Sequence, residues 1–437
     1  MKLSLTATKA INILIQNGYK AYAVGGAVRD GYLLRDISDV DVTTSATPNE
    51  VIKVFNGYTV IPTGIKHGTV TLLIDNDAIE ITTFRSESVY EDNRHPKSVE
   101  FVSNVESDLM RRDFTINAMA YNDAEGLIDP YGGRSDCDSK IIRAVGNAEE
   151  RFQEDALRIL RALRFASKLG FTIEKETSKA IFKYSYLLKN ISAERIYAEL
   201  IKIIMGDHAE EVLLKFRKII FVIIPELEKC DGFDQKSKYH AYDVYTHIVK
   251  SVSIASKDKT VRLACLLHDI AKPQAFSVDD FGRGHFYGHQ ELGAETAVNI
   301  LKRLKVDNKT ISTVEAVIRL HDTYLIPNRK NIKKFLSVYG IDLLKVLTEV
   351  RIGDALAHAY IYGQERARIC RQVLAIAQSI IDSGECYNLK MLAVNGNDLK
   401  KLGYSGEDIK RKLNILLNGV IDGKYNNDKE SLLKAVK

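Results

Sequence analysis

Val24-Gly25-Gly26-Ala27-Val28-Arg29-Asp30, followed shortly by Asp39-Val40-Asp41, is the stretch whose reading decides the fold. The apolar run Ala21–Val24 reads as a strand that ends at the glycine pair. Two acids at i and i+2 on the next strand point to one face, close enough to share a divalent metal. Gly25 and Gly26 carry no Cβ, so backbone N–H groups there can come close to a polyphosphate. Together they describe a site for a nucleoside triphosphate on Mg²⁺ and in-line phosphoryl or nucleotidyl transfer. Gly-Gly and Asp-x-Asp each recur by chance; their order and spacing carry the reading.

Around this stretch, Thr69–Ile74 and Ala78–Thr83 read as further strands, and Thr6–Gln16 and Pro48–Phe55 as helices. The pattern predicts a small α/β or α+β domain that gives way near residue 140 to helical periodicity. Arg158, Arg161 and Arg164 recur every three residues there, with Leu157, Ile159, Leu160 and Leu163 as the packing face. Gly170, Pro225 and the Lys229–Lys238 stretch read as turns or boundaries. A helical segment from about 240 to 375 carries most of the histidines, and a lysine-rich helical tail follows Asn395-Gly396-Asn397-Asp398. No repeat or low-complexity stretch is evident.

Composition narrows the classes. With 437 residues the chain has room for about two to four domains. A net charge of +5 is modest, so a nucleic-acid partner requires clustered basic residues. Five cysteines, Cys137, Cys230, Cys265, Cys370 and Cys386, stand apart without a C-x-x-C pair. Their scatter points to a reducing cytoplasm and away from a disulfide frame or zinc-thiolate site. No apolar run reaches membrane-spanning length, Ile219–Ile224 reads as a buried element, and Thr6, Thr8 and Lys9 interrupt any leader. The expectation is a soluble cytoplasmic protein with no membrane and no implied protein partner.

A second constellation crosses the junction. Arg111-Arg112-Asp113-Phe114-Thr115-Ile116-Asn117-Ala118-Met119 is expected to start a helix, and Asp129-Pro130-Tyr131-Gly132-Gly133-Arg134 to turn. Glu154-Asp155-Ala156-Leu157-Arg158 is expected to open the arginine helix, with Asp155 and Arg158 on one face. Such a pair is either a surface ion pair or an acceptor and a donor for the edge of a base.

Gly25-Gly26-x-Val28-Arg29-Asp30, Asp39-x-Asp41, Arg111-Arg112-Asp113-Phe114-Thr115, Glu154-Asp155-x-x-Arg158 and Ser192-x-Glu194-Arg195 occur in this order. The series resembles the bacterial-type (class II) tRNA nucleotidyltransferase and poly(A) polymerase family over residues 20 to 200. Asn395-Gly396-Asn397-Asp398-Leu399 with Gly403 and Gly406 is similar to the family's tail. Gly31 and Leu34 depart from it, standing where members commonly carry Leu and Gly.

The resemblance implies an α+β fold, a polymerase-beta-like nucleotidyltransferase head followed by an all-α neck, body and tail. The implied divisions are head 1–138, neck 139–228 for base recognition and RNA binding, HD domain 229–378 and tRNA-binding tail 379–437. It implies template-independent addition of CTP and ATP to the 3′ end of tRNA. Asp39 and Asp41 would be ligands of two Mg²⁺ ions, with Glu80 as a third carboxylate. Gly26 and Arg29 would meet the phosphates and Arg112 the nucleotide. Asp155 and Arg158 would read the base, and Arg161 and Arg164 would extend the basic wall. Thr83-Phe84-Arg85 through Tyr90-Glu91-Asp92-Asn93-Arg94-His95-Pro96 looks like the full flexible loop that CC-adding members lack. That favours CCA addition, with A addition or poly(A) synthesis as alternatives.

His247, His268-Asp269 and Asp354 match the H…HD…D order of HD-family phosphohydrolases, with Lys272 just after the dipeptide. His289 and His321-Asp322 supply imidazoles for a second metal. Mixed imidazoles and carboxylates suit Mn²⁺, Mg²⁺, Fe²⁺ or Ni²⁺ and phosphate chemistry. The plainer alternative is an HD fold kept for structure or RNA contact. A rival from another class is an HD phosphohydrolase whose N-terminal module only binds nucleotide.

Overall fold

The computed structural model describes all residues except Lys2, Ser38, Asn76, 88–98, 237–240, Ala359 and Lys437. The expected loop segment Tyr90–Pro96 therefore lies outside the described residues. The chain divides into two compact units, one of Met1–His208 with Lys215–Ile223, the other of Ala209–Leu214 with Ile224–Lys437.

In the first unit the strands are β1 (Ala21–Val24), β2 (Asp41–Thr44), β3 (Thr59–Gly64), β4 (Thr69–Ile74) and β5 (Asp77–Thr83). They continue as β6 (Arg85–Glu87), β7 (Val99–Phe101), β8 (Ala120–Asn122) and β9 (Gly126–Ile128). Seven of them form one mixed sheet in the order β3-β4-β5-β2-β1-β8-β9. β6 and β7 pair separately as an antiparallel hairpin. Register assembles the site. β1 runs antiparallel to β2 with Val24 opposite Asp41, so the chain enters Gly25-Gly26 beside that carboxylate. β2 runs parallel to β5 with Val42 opposite Ile81, which brings Glu80 alongside Asp41. Tyr22, Val24, Phe84, Leu109, Ala118 and Ala120 pack beneath as a closed apolar cluster.

Two expected elements differ. Arg111–Met119 forms a turn with a single 3₁₀ segment, Thr115–Asn117, and no α-helix. The Asp113 carboxylate accepts the N–H of Phe114 (2.9 Å), and such side-chain capping competes with helix propagation. Likewise Asp155 does not sit inside the arginine helix. It is extended (φ −137°, ψ 101°) between helices Ala148–Glu154 and Leu157–Leu169. The latter buries Leu157, Ile159, Leu160 and Leu163 as the pattern predicts, and ends at Gly170 with φ 71°. A Cβ on Gly170 would lie 2.5 Å from the His208 ring.

The second unit is helical. Its histidine-bearing portion runs through Val244–Ile254, Lys259–Leu267, His289–Arg303, Asn308–Leu320, Arg329–Ala357 and Tyr360–Asp382. Asp243, Asp258 and Asp307 cap three of these by accepting first-turn N–H groups. The tail helices Gly396–Lys400, Gly406–Ile421 and Lys429–Val436 close over Leu399, Leu416, Leu417 and Leu432. Lys330 and Lys334 both reach Asp422 at 3.0 Å, tying the Arg329 helix to the tail. All five cysteines are free and buried. Among the described residues no helix is long and apolar enough to cross a membrane.

The departure at Gly31 and Leu34 has a local structure. A Cβ on Gly31 would lie 2.7 Å from the Met1 Cγ and 3.1 Å from the Ile37 Cδ1, so neighbouring side chains fill that space. Leu34 follows the helix Gly26–Tyr32 at φ 55° and is 94% exposed. The left-handed region costs a branched residue about 1–2 kcal/mol, part of which glycine's greater unfolded entropy cancels. Leu34→Gly should therefore stabilise the first unit by about 0.5–1 kcal/mol, read as an upward shift of about 1–4 °C in Tm. An unchanged or lower Tm would show that the Leu34 conformation carries no strain.

Candidate active site and metal centre

Gly25 has φ 70° and ψ −132°, a conformation open to glycine, and starts the Gly26–Tyr32 helix with no side-chain cap. The first-turn N–H groups are thus left for an anion. A Cβ on Gly25 would lie 3.2 Å from Nη1 of Arg112, and one on Gly26 3.6 Å from Nη2 of Arg29. Two guanidinium groups therefore stand over the glycine pair. Arg29 is buried and held bidentately by Asp30 (2.9 Å twice), while its Nη1 donates to Asn117 (2.7 Å). Arg112 pairs with buried Asp108 at 3.3 Å.

Asp41 begins β2, Asp39 precedes that strand, and Glu80 lies on β5. All three keep solvent-exposed surface. Surrounding protein desolvates Asp41 enough to raise its pKa, the Glu80 and Asp39 carboxylates raise it further, and Arg112 opposes them. Oxygen donors gathered in this way fit a hard divalent cation.

The base-side residues are paired otherwise than their spacing predicts. No Asp155–Arg158 ion pair forms, because Asp155 lies outside the helix. Its Oδ2 accepts from Arg195 (2.9 Å) and its Oδ1 caps Leu157 N–H (3.0 Å). Arg158 instead pairs with Glu154 (2.7 Å) and donates to the Arg111 carbonyl (2.9 Å). Arg161 and Arg164 are not a solvated stripe: Arg161 binds Asp113 (2.6 Å) and Arg164 binds Glu199 (3.0 Å). Phe165 lies under three guanidinium groups, Arg164 at 4.3 Å, Arg29 at 5.1 Å and Arg161 at 5.6 Å from its centroid.

Sequence reasoning gave no role to Asp108, Asp113, Asn117 or Glu199. Asp108 stands three and four residues before Arg111 and Arg112, a helical spacing that was available as a signal. Asp113 meets Arg161, Asn117 meets Arg29 and Glu199 meets Arg164 only through tertiary folding, and no spacing announces those contacts.

In the second unit all six expected ligands are buried and converge. His247, His268, Asp269 and Asp354 form one group with ligand atoms within 4.8 Å, and Asp269, His289 and His321 form another. Asp269 belongs to both. The rings are oriented from behind: Nδ1 faces the Cys265 carbonyl in His268 (2.8 Å), that of Phe286 in His289 (2.7 Å) and that of Ile318 in His321 (2.6 Å). A proton on Nδ1 leaves Nε2 as the ligand atom in each, the usual support for a metal-binding imidazole. Nε2 of His268 is buried and makes no hydrogen bond. Burial lowers the pKa of His247 and His289, favouring the neutral form that ligates, whereas at His268 the Asp269 and Asp354 carboxylates outweigh burial and raise it to about 10. Lys272 stands 2.7 Å from Asp269, and the Asp269 and Asp354 carboxyls are held well below the usual range despite burial, by neighbouring imidazoles and, at Asp269, by Lys272. His358, which the sequence pattern passed over, reaches Asp354 at 3.4 Å. This donor set fits a divalent metal.

A glycine loop, carboxylates on adjoining strands and an arginine-lined helix beyond them define a nucleotidyltransferase. Residues 21–143 match the Poly A polymerase head domain, 170–230 the RNA and SrmB-binding site of polymerase A, and 288–436 the tRNA nucleotidyltransferase domain 2. The CCA-adding enzyme of Streptococcus thermophilus is 34% identical over 447 residues, covering 100% of this chain and 98% of that protein. That of Bacillus velezensis is 34% identical over 98% of this chain and 96% of its own. The Bacillus stearothermophilus CCA-adding enzyme in complex with CTP superposes with TM-score 0.72 at 29% identity, covering 99% and 96% of the two chains. The chain belongs to the CCA-adding enzymes, a family of tRNA nucleotidyltransferases.

Asp113 generates a prediction. Burial alone would raise its pKa, but Arg161, Asn117 and Arg158 outweigh that and lower it to about 2. A depressed folded-state pKa contributes stability above the unfolded value, about 3.9, that is lost as pH falls toward 2. Asp113→Asn should destabilise the first unit by about 3 kcal/mol at pH 7 by stranding Arg161. The gap to wild type should shrink by about 2 kcal/mol between pH 5 and pH 2, measured by urea unfolding. A gap independent of pH would remove the charged role of Asp113.

Proposed function

We propose that this chain adds C, C and A in turn to the 3′ end of tRNA, taking them from CTP and ATP without a nucleic-acid template. The observation that carries this reading is membership of the CCA-adding enzymes over the full length of the chain. The site follows from the residues described. Asp39, Asp41 and Glu80 are the carboxylates that would hold divalent metal, and their oxygen donors favour Mg²⁺, with enough ligand atoms for two ions. Mg²⁺ bound there neutralises charge on the transferring phosphoryl group and favours ionisation of the attacking 3′-hydroxyl. The uncapped amides at Gly26, with Arg29 and Arg112, hold the triphosphate in line.

Asp155 and Arg158 read the base. Cytosine N4 and adenine N6 are both amino donors that a carboxylate accepts from, whereas uracil O4 and guanine O6 are acceptors. One acid therefore admits C and A and rejects U and G. Arg195 and Glu154 position this pair, and Arg161 and Arg164, tied by Asp113 and Glu199, shape the wall beside it. The finer division into head 1–138, neck 139–228, HD domain 229–378 and tail 379–437 belongs to the same reading, with tRNA held along the neck and tail. Five buried free thiols support a reducing cytoplasm.

The second unit is proposed as a metal-dependent phosphohydrolase. His247, His268, Asp269 and Asp354 would hold one divalent ion, and Asp269, His289 and His321 a second. The nitrogen-rich donor set favours Mn²⁺, Fe²⁺ or Ni²⁺ over Mg²⁺.

The deciding experiment incubates the protein with tRNA lacking CCA, Mg²⁺ and labelled CTP and ATP. Addition of C, C and A, ending there, is expected. A alone, or a long A tail, would replace the reading. Asp39→Ala and Asp41→Ala should abolish addition while leaving tRNA affinity nearly intact; retained addition by Asp41→Ala would remove the metal site. Asp155→Ala should lower kcat/KM for CTP and ATP about ten- to hundredfold, and raise the relative entry of UTP and GTP. Unchanged ratios in the folded variant would leave Asp155 as only an anchor for Arg195. His268→Ala and Asp269→Ala should lose bound transition metal and any phosphohydrolase activity yet keep CTP incorporation. Loss of both activities together would make the two sites inseparable.

A further inference from the structure

We propose that Asp108 is a positioning residue for the nucleotide, fixing Arg112 and the turn behind it against the strand that carries Asp41. This rests on the reading of Arg112 as a nucleotide contact given above. Asp108 lies on the short helix Val105–Met110, whose Val105 and Leu109 enter the apolar cluster beneath the sheet. A residue three after Val105 shares its face, so burying that face carries Asp108 inward with it. The side chain is 0% exposed. A charge buried so completely is unfavourable unless it is paired. Burial raises the Asp108 pKa, but Arg111 and Arg112 outweigh that and lower it, so the carboxylate stays ionised at neutral pH.

Its partners come from three parts of the first unit. Oδ1 accepts Nε and Nη2 of Arg111 (3.0 and 2.8 Å) and the Arg85 N–H (3.4 Å). Oδ2 accepts Nη2 of Arg112 (3.3 Å) and the Thr43 hydroxyl (3.3 Å). Thr43 lies on β2 two residues after Asp41, and alternate residues of a strand share a face. The same hydroxyl stands 3.1 Å from the Thr82 carbonyl on β5, two residues after Glu80. One carboxylate thus joins the strand of Asp41 to the arginine that stands over Gly25. The Arg111 carbonyl in turn accepts Arg158 (2.9 Å), so the base-side arginine hangs on the same turn.

Two guanidinium groups share this single anion, which leaves positive charge there for a phosphate. Exposed pairs at three- and four-residue spacing contribute little. Here burial makes the pairing a geometric constraint, because neither arginine can swing away without leaving a desolvated anion underpaired. A displacement of about 1 Å at a substrate contact can lower a rate about a hundredfold. Side-chain length is therefore part of the role: Asp108→Glu keeps the charge but moves it by one methylene.

The test uses the full-length protein with Mg²⁺. CTP binding by calorimetry, and KM for CTP on tRNA lacking CCA, are compared in wild type, Asp108→Asn, Asp108→Glu, Arg112→Ala and the double variant Asp108→Asn/Arg112→Ala. Asp108→Asn and Asp108→Glu should each weaken CTP binding and raise its KM about tenfold, with KM for tRNA unchanged. In the Arg112→Ala background Asp108→Asn should add less than about twofold, because the contact it positions is gone. Equal effects in both backgrounds, or unaltered CTP binding in a folded variant of lower Tm, overturn the proposal and leave Asp108 a support of the fold alone. Thr43→Val keeps both ion pairs and decides the matter where the Asp108 variants do not fold. CTP binding weakened about two- to threefold, with the effect absent beside Arg112→Ala, supports the proposal, and unchanged binding overturns it. Wild-type CTP binding by Arg112→Ala would overturn the reading of Arg112 and the proposal built on it. A protein that binds CTP but adds no nucleotide would overturn only the reaction, and the calorimetric series would still decide for or against Asp108.

Discussion

A buried carboxylate must find a cation, and in the first unit that requirement fixes the geometry of the whole candidate site. Asp113 is 7% exposed, lies in the turn that replaces the expected helix, and takes Arg161 at 2.6 Å. Its other oxygen accepts from Asn117 (3.1 Å), whose own carbonyl oxygen receives Arg29 (2.7 Å). One anion thus links the arginine over the glycine pair to the helix that carries the base-side arginines. Phe165 lies beneath Arg29, Arg161 and Arg164, so the three charges repel one another across a surface that attracts each of them. Breaking the Asp113 contact leaves Arg161 half-buried beside Arg29 and Arg164 with less counter-charge. For this reason the loss is expected to exceed that of an ordinary surface pair.

Much of the first unit was legible because its signals are local. Ala21–Val24 and Thr69–Ile74 were read to the residue, and the Asp77–Thr83 strand to within one. Glycine and Asp-x-Asp mark the ends of strands, and the register of β2 on β5 then brings Asp41 and Glu80 side by side, although Asp39 precedes β2 and does not share its strand as the spacing predicted. What the sequence hid were the partners of charged groups. Spacing placed Asp155 three residues before Arg158 and so predicted one helical face. The chain breaks the helix at Asp155 and hands it to Arg195, forty residues away in sequence. Three-residue spacing reports a shared face only inside a continuous helix, and nothing local announced the break.

The second unit was legible for a different reason. Its ligands occupy helix ends and first turns: His268 and His321 are C-caps, and His289 opens its helix. At a C-terminus the backbone carbonyls three residues back lack intrahelical partners, and here Cys265 and Ile318 supply them to Nδ1 of His268 and His321. The unsatisfied groups of the helices therefore orient the rings. A histidine followed by aspartate at a helix end carries its support with it, which is why the order H…HD…D survives as a readable pattern. His358 escaped because it lies one turn beyond Asp354, past the end of the Arg329–Ala357 helix.

On the proposed reading, these two donor sets would let one chain keep two metal chemistries apart. The head offers carboxylate oxygens on an exposed sheet edge, suited to Mg²⁺, which retains water and exchanges with substrate phosphates. The cluster in the second unit offers imidazole nitrogens, four of them grouped with two carboxylates in a buried setting. By the order of affinities for nitrogen ligands, Mg²⁺ competes poorly there against Mn²⁺, Fe²⁺ or Ni²⁺. Burial reinforces the separation, because a desolvated carboxylate pair without a cation is unfavourable and Lys272 meets only part of the charge at Asp269. On the proposed reading, a metal at the imidazole–carboxylate cluster would be bound as part of the folded structure, while metal in the head would arrive with each nucleoside triphosphate. Nucleotide addition would then follow the supply of Mg²⁺, and the HD unit would follow the supply of a transition metal, with the same protein answering to both.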